Sequence, residues 1–178
     1  IELAFPNQFL ANDGSMIDRE EAGQNRKTVP LNEVSPYLID ATIAVEDRKF
    51  YSHYGFDLKR IGGALLANLQ SGSKGQGAST ITQQYARNLY LSHEKTYVRK
   101  WNELVYSLRL EMNYSKDDIL AGYLNTIYYG HGNYGIEAAS SHFFGKNAKN
   151  LSLAEAAMLA GVPKGPSYYS PLNDLERA

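Results

Sequence analysis

The sequence predicts a mainly α protein. Three observations carry this expectation. Beyond residue 35, apolar residues recur three and four apart, capping residues stand at the starts of several of these runs, and no stretch of clean alternation suggests a sheet. The first helix opens at Ser35-Pro36, a capping residue followed by proline at the first helical position. Leu38, Ala41, Thr42 and Val45 then follow at helical spacing. A second helix starts at Asp57, with Leu58, Ile61, Leu65 and Leu69 on one face, and Ser71 to Gly77 is a glycine-rich loop. A third starts near Ser79 or Thr80 and carries Ile81, Tyr85 and Leu89. A fourth runs from about Thr96 to Met112, with Val98, Trp101, Val105, Leu108 and Met112 expected on its inner face. Ser115 with Asp118 resembles a capping box ahead of Ile119, Tyr123 and Ile127. Another helix covers Tyr134 to Phe144 and stops at Gly145. Ser152 with Glu155 is a capping box for the last, which ends near Gly161 before Pro163. Residues 1–30 read as an irregular or extended arm. There Asn12-Asp13-Gly14 predicts a short hairpin between Phe9-Leu10 and Met16-Ile17, and the charged stretch Asp18 to Lys27 reads as solvated.

A chain of 178 residues implies one domain, taken here as 1–178. Its 18 Lys and Arg against 19 Asp and Glu leave a net charge of −1, which argues against nucleic acid as a partner. With 43% hydrophobic and 21% charged residues, the composition is that of a folded globular chain. Tyrosine stands out, with 14 against 6 Phe and 1 Trp, and its apolar ring with a polar tip suits half-wet surfaces as well as a helical core. The absence of cysteine excludes a disulfide scaffold, a cysteine–zinc site and a thiol nucleophile. No apolar run approaches the ~20 residues of a membrane span, and no signal peptide is recognisable.

Candidate chemistry begins at Glu46. It follows Ile39 and Ile43 on one helix face, so it lies at the end of an apolar helix near its buried edge. Partial burial there would make the carboxylate a better base near neutral pH, although a solvated helix-end carboxylate fits the spacing too. His53, six residues after Asp47, could bond that carboxylate or cap a turn; the four histidines (53, 93, 131 and 142) show no metal-ligand spacing. The stretch from Gly75 to Thr80 leads into a helix bearing Gln83, Gln84 and Arg87, and such a turn can seat an anion or be an ordinary loop and cap. It is not a nucleotide P-loop, since the lysine and its spacing are missing. Lys95, Arg99 and Lys100 form a cationic cluster. It is either a solvated face or a diphosphate site, and Glu103 lies one turn from Arg99, within pairing reach.

The order and wording of these stretches resemble a known family. Ala44 to Gly55 resembles the first motif, E-D-x-x-F-x-x-H-x-G, of the peptidoglycan glycosyltransferases of family 51. Gly77 to Gln84 resembles their second, G-x-S-T-I-T-Q-Q, and Arg99 to Glu103 their third, R-K-x-x-E. Tyr123-Leu124-Asn125 with Gly130 fits the fourth, and Leu153 to Ala160 with Pro163 the fifth. The five stand in family order across about residues 28–171. One departure is Ala121, where many members carry an acidic residue.

The resemblance implies a lysozyme-like fold with a larger globular lobe and a smaller membrane-dipping lobe around a cleft. It implies an enzyme that polymerises lipid II into β-1,4-linked glycan by inverting transfer, releasing undecaprenyl diphosphate. By similarity Glu46 is the general base and Glu103 a second essential carboxylate that orients the basic residues or the donor. Arg87, Lys95, Arg99 and Lys100 would stabilise the leaving diphosphate. Asp47, Phe50, His53, Gly77, Ser79, Thr80, Gln83, Gln84, Asn88 and Asn125 fall on family site positions for substrate. No protein metal site or cofactor is implied, though Mg or Mn could accompany the diphosphate. Residues 56–76 fall where the family keeps its membrane-dipping lobe. There Leu58, Ile61, Leu65, Leu66 and Leu69 cover a wide arc, so a monotopic contact with the bilayer is expected. Further implied partners are the growing glycan strand, phosphoglycolipid inhibitors such as moenomycin, and a transpeptidase domain in a longer chain. The implied location is the extracytoplasmic face of the bacterial plasma membrane, with a preceding N-terminal anchor.

Three rivals remain. A transpeptidase needs S-x-x-K with S-x-N and K-T-G. Ser71 with Lys74 and Ser92 with Lys95 match only the first. A lysozyme-like hydrolase also uses a glutamate in a helical cleft but has no use for a diphosphate-binding cluster. A non-catalytic glycan- or lipid-binding module would tolerate loss of Glu46.

Overall fold

The computed structural model describes residues 7–10, 16–20, 25–59, 61–63, 66, 79–90 and 97–165. The mainly α expectation holds. Among the described residues the α-helices with full bounds are α1 (Pro36–Glu46), α2 (Ile81–Tyr90), α3 (Tyr97–Asn113), α4 (Lys116–Thr126), α5 (Ile136–Phe144) and α6 (Leu153–Gly161). Between residues 58 and 66 the described backbone is also helical. The strands are β1 (Asn7–Leu10), β2 (Met16–Glu20), β3 (Asn25–Arg26) and β4 (Asn133–Tyr134). The chain divides into two compact units, residues 1–42 with 124–178, and residues 43–123.

In the first unit the expected hairpin forms, with β1 antiparallel to β2 and a register shift at Phe9/Leu10. Its Asn12-Asp13-Gly14 turn lies outside the described residues. The charged arm is tied down near its end, where β3 pairs in parallel with β4, Asn25 opposite Asn133 and Arg26 opposite Tyr134. Two-residue strands are too short to leave an alternation pattern, and the pairing also starts α5 two residues later than expected. Leu38, Ile127, Tyr129, Ile136, Ala139, Leu159 and Val162 are buried here. Gly135 precedes α5 with φ +89°, and a Cβ there would stand 2.6 Å from the Asn125 carbonyl oxygen, so glycine is required. Asn125 bonds Val29 twice, its Oδ1 accepting from the backbone N–H (2.9 Å) and its Nδ2 donating to the carbonyl (2.8 Å).

The last two helices of this unit end and begin as their residues dictate. Gly145 closes α5 in the left-handed conformation (φ 63°). Ser152 and Glu155 open α6 with a full capping box. Glu155 is held below its ordinary range, first by the hydrogen bond from Lys146 Nζ (2.7 Å) and then by the Ser152 N–H. A carboxylate lowered on folding adds stability above its ordinary range and loses it as pH falls through the lowered value. Glu155→Gln should therefore lower the melting temperature at neutral pH and leave less of a decline on acidification, read by thermal melts over that range.

In the second unit the loop after α1 is stitched to α2, α3 and α4. Phe50 is fully buried, edge-on to Tyr51 and His53, with Lys116 Nζ 4.7 Å from its ring centre. Gly55 (φ +91°) packs on Ser107 of α3, where a Cβ would come within 3.2 Å of the serine. The Ser115–Asp118 box caps α4 in both directions. The expected inner face of α3 is wrong. Val98 (70% exposed), Trp101 (67%) and Met112 (82%) point outward, and Glu103, Ser107 and Leu110 face inward. The apolar repeat alone points to core, but the inward side is decided by the Gly55–Ser107 approach and by partners that neutralise Glu103. Tyrosine divides as well: Tyr123 and Tyr129 are buried, and Tyr54, Tyr97 and Tyr114 are exposed.

Candidate active site

All the close-knit polar groups of interest lie in the unit of residues 43–123. They begin with α2, whose start is held by a Thr80–Gln83 capping box. Thr80 N–H donates to Gln83 Oε1 (2.9 Å) and Gln83 N–H to Thr80 Oγ1 (3.2 Å). The next N–H of the helix, Ile81, donates to Asp47 Oδ2 (3.1 Å). That oxygen also receives His53 Nε2, and His53 Nδ1 accepts from the Gly55 N–H (3.1 Å). With Nδ1 accepting from Gly55, Nε2 is the ring nitrogen turned to Asp47. Gly55 closes the loop, its carbonyl accepting from Thr80 Oγ1 (2.6 Å). The turn after Glu46 is thereby fixed to the start of α2.

Glu46 ends α1 and is buried to 8% exposure. Its Oε2 accepts from Gln84 Nε2 (3.2 Å). Gln84 also receives Tyr123 OH on Oε1 (3.2 Å) and reaches the Ser79 carbonyl with Nε2 (3.5 Å). A cavity of about 410 Å³ opens beside Glu46, with Arg48, Lys49, Asp57 and Lys59 in its lining.

Glu103, on α3, has no solvent exposure. Arg87 grips it with two bonds, Nε to Oε2 (3.1 Å) and Nη2 to Oε1 (3.3 Å), and Lys100 Nζ adds a third to Oε1 (3.0 Å). A carboxylate this deep needs such partners, because an unpaired buried charge costs several kcal/mol, roughly 3–5 when one partner of a buried pair is removed. Both cations also bond Ser79 Oγ, Lys100 at 2.9 Å and Arg87 at 3.4 Å. Ser79 is the hub: its carbonyl faces Gln84 and its hydroxyl the two cations. One hydrogen-bonded line therefore runs from Glu46 through Gln84, Ser79 and the cations to Glu103.

The expected site residues sort into three groups. Glu46, Asp47, His53, Ser79, Gln84, Arg87, Lys100 and Glu103 are brought together. Phe50, Thr80 and Gln83 lie among them, each at most 1% exposed. Asn88 is exposed on α2, and Arg99 is half-buried. The pairing of Glu103 is with Lys100 and Arg87, and Arg99 is not among its partners. Asn125 sits in the other unit on Val29. Gly77, Lys95, both S-x-x-K matches and most of residues 56–76 lie outside the described residues. Sequence reasoning missed Tyr123 as the partner of Gln84. It also missed the Thr80–Gln83 box, whose threonine–glutamine spacing was a readable signal.

A helical unit that carries one buried carboxylate beside a cavity, and next to it a second carboxylate compensated by two cations, is equipped for proton transfer next to an anionic group. A family profile described as Transglycosylase matches residues 13–178. The chain is 65% identical over 163 residues to penicillin-binding protein 2D of Bacillus subtilis (strain 168), covering 92% of this chain and 24% of that one. It is 46% identical over 179 residues to penicillin-binding protein 1A of Vibrio cholerae, covering 100% of this chain and 22% of that one. A crystal structure of penicillin-binding protein 1A from Haemophilus influenzae aligns over 99% of this chain and 17% of that one, with 26% identity and a TM-score of 0.47. The chain belongs to the transglycosylase family, and it is a peptidoglycan glycosyltransferase domain. It spans about a quarter of the length of these curated relatives.

Proposed function

We propose that the chain extends glycan strands from lipid II. The acceptor's GlcNAc 4-hydroxyl loses its proton to Glu46 and attacks the anomeric carbon of the donor MurNAc. The bond from that carbon to the diphosphate oxygen breaks, and undecaprenyl diphosphate leaves with the electron pair. Inversion at an α-linked donor yields the β-1,4 bond in one displacement, with no covalent enzyme intermediate. Charge grows on the diphosphate as it departs, and fixed cations there stabilise the transition state more than the ground state. Arg87 and Lys100 would meet it, with Arg99 and Lys95 as further cations of the same stretch.

The observation that carries this reading is the line from Glu46 through Gln84 and Ser79 to Arg87 and Lys100. It joins the base to the cations through part-buried and exposed contacts of 2.9–3.5 Å, with Ser79 in the middle. Glu103 keeps Arg87 and Lys100 aimed at the Ser79 hydroxyl. Mg or Mn, where required, would arrive with the substrate diphosphate, and phosphoglycolipids such as moenomycin would compete for the same cations.

The working place proposed is the extracytoplasmic face of the plasma membrane, with residues 56–76 against the bilayer. Leu58 (71% exposed) and Leu66 (57%) fit that contact. Among the described residues no helix is long and apolar enough to cross a membrane. In the whole protein a transpeptidase domain would follow, in keeping with the penicillin-binding names of the relatives. Purified lipid II in detergent should give polymer with release of polyprenyl diphosphate. Shortening of preformed glycan with no polymer from lipid II would overturn this reading in favour of a hydrolase.

A further inference from the structure

The outward side of α3 is unused by the proposed chemistry. Val98, Trp101, Leu108 and Met112 stand three and four apart along it, 38–82% exposed, with Tyr97 (97%) and Tyr114 (57%) at its two ends. The charges of the helix are sorted. Its acids, Glu103 and Glu111, are turned inward and neutralised, Glu111 by Lys116 Nζ at 2.6 Å. Its exposed charges, Lys100 and Arg109, are all cationic. At the C-terminal end of the helix a second cavity of about 410 Å³ is lined by Tyr90, Arg109, Leu110, Asn113 and Tyr114. Tyr90 stacks on Tyr106 at 4.6 Å, and the Arg109 guanidinium lies 5.7 Å from the Tyr106 ring centre.

We infer that α3 is itself a membrane-surface helix, lying in the interface of an anionic bilayer, with the Arg109 notch facing lipid phosphates. An apolar stripe centred on Trp, aromatic residues at its ends and cations as the only exposed charge are the features that bind a helix in the plane of a negatively charged lipid surface. A protein partner would be expected to meet some exposed acid on a helix of this length, and here both acids are withdrawn. This contact is separate from residues 56–76. The inference rests on the reading that the chain works against a membrane.

Trp101 is the only tryptophan of the chain, so its emission reports on this helix alone. The chain is titrated with vesicles of phosphatidylglycerol and phosphatidylcholine, and in parallel with pure phosphatidylcholine, without lipid II. The expected result is a blue shift with the anionic vesicles and quenching by acyl-brominated lipid. V98D/M112D, which alters exposed positions only, should weaken vesicle partition by about tenfold or more, and Arg109→Glu should remove the preference for anionic lipid. Far-UV circular dichroism checks the fold of the variants, and quenching in the unmodified chain needs no variant at all. The inference is overturned if the chain binds vesicles while Trp101 stays silent, or if neutral and anionic vesicles act alike. It is also overturned if the emission shifts with protein concentration in lipid-free buffer, which would mean that a second copy covers the stripe. Lipid II turnover with a silent Trp101 would sink only this surface, and a responsive Trp101 without turnover would sink only the catalytic reading.

Discussion

Glu46→Gln should abolish polymerisation, lowering turnover by about two to four orders of magnitude, the range that a general base contributes. Glutamine has the same shape, and its carbonyl oxygen can still accept from Gln84 Nε2, as Glu46 Oε2 does at 3.2 Å. The melting temperature should therefore stay close to that of the unsubstituted chain. Donor binding should stay too, because Arg87, Lys100 and Ser79 are untouched. Turnover of lipid II and binding of a phosphoglycolipid, measured on the same preparation, separate the two effects. Near-normal turnover in Glu46→Gln would end the assignment of the base and favour a binding module.

Glu103→Gln should behave differently, losing both stability and donor affinity. The wild-type carboxylate is fully buried and takes three hydrogen bonds from Arg87 and Lys100. Bonds to charged groups contribute about 1.5–3 kcal/mol each, but these cations are 33% and 46% exposed, so water replaces part of what is lost. A net cost of about 1–3 kcal/mol is expected, a drop of several degrees in melting temperature for a chain of this size. Arg87 and Lys100 would then be free to leave Ser79, and phosphoglycolipid binding should weaken together with turnover. Loss of turnover with unchanged phosphoglycolipid binding would show that Glu103 does not act through the cations. The contrast between the two glutamines is the sharpest test of the two roles.

Much of the fold could be read locally. The Ser115–Asp118 and Ser152–Glu155 boxes, the Gly145 stop and the Phe9–Met16 hairpin all formed where expected, because each depends on residues within a few positions of one another. The third helix was found, but its Thr80–Gln83 box was not, although the same rule applies. The site residues were legible chiefly as motif text. Spacing left Glu46 between a buried helix edge and a solvated helix end, and its 8% exposure decides for the buried edge. Spacing put Arg99 within pairing reach of Glu103, and the bonds to Glu103 come from Lys100 and, 16 residues away, Arg87.

What the chain determined by itself is where its helices lie, since caps, stops and periodicity are set within one or two turns. Which side of α3 points inward was decided only by tertiary structure. The apolar stripe at Val98, Trp101 and Met112 had the stronger local claim to the interior. The acid won because Arg87 from another helix and Lys100 could neutralise it at 3.1 and 3.0 Å, and Gly55 left room for Ser107. A buried charge is tolerated only when its counter-charges arrive, and those come from residues that no short window of sequence contains.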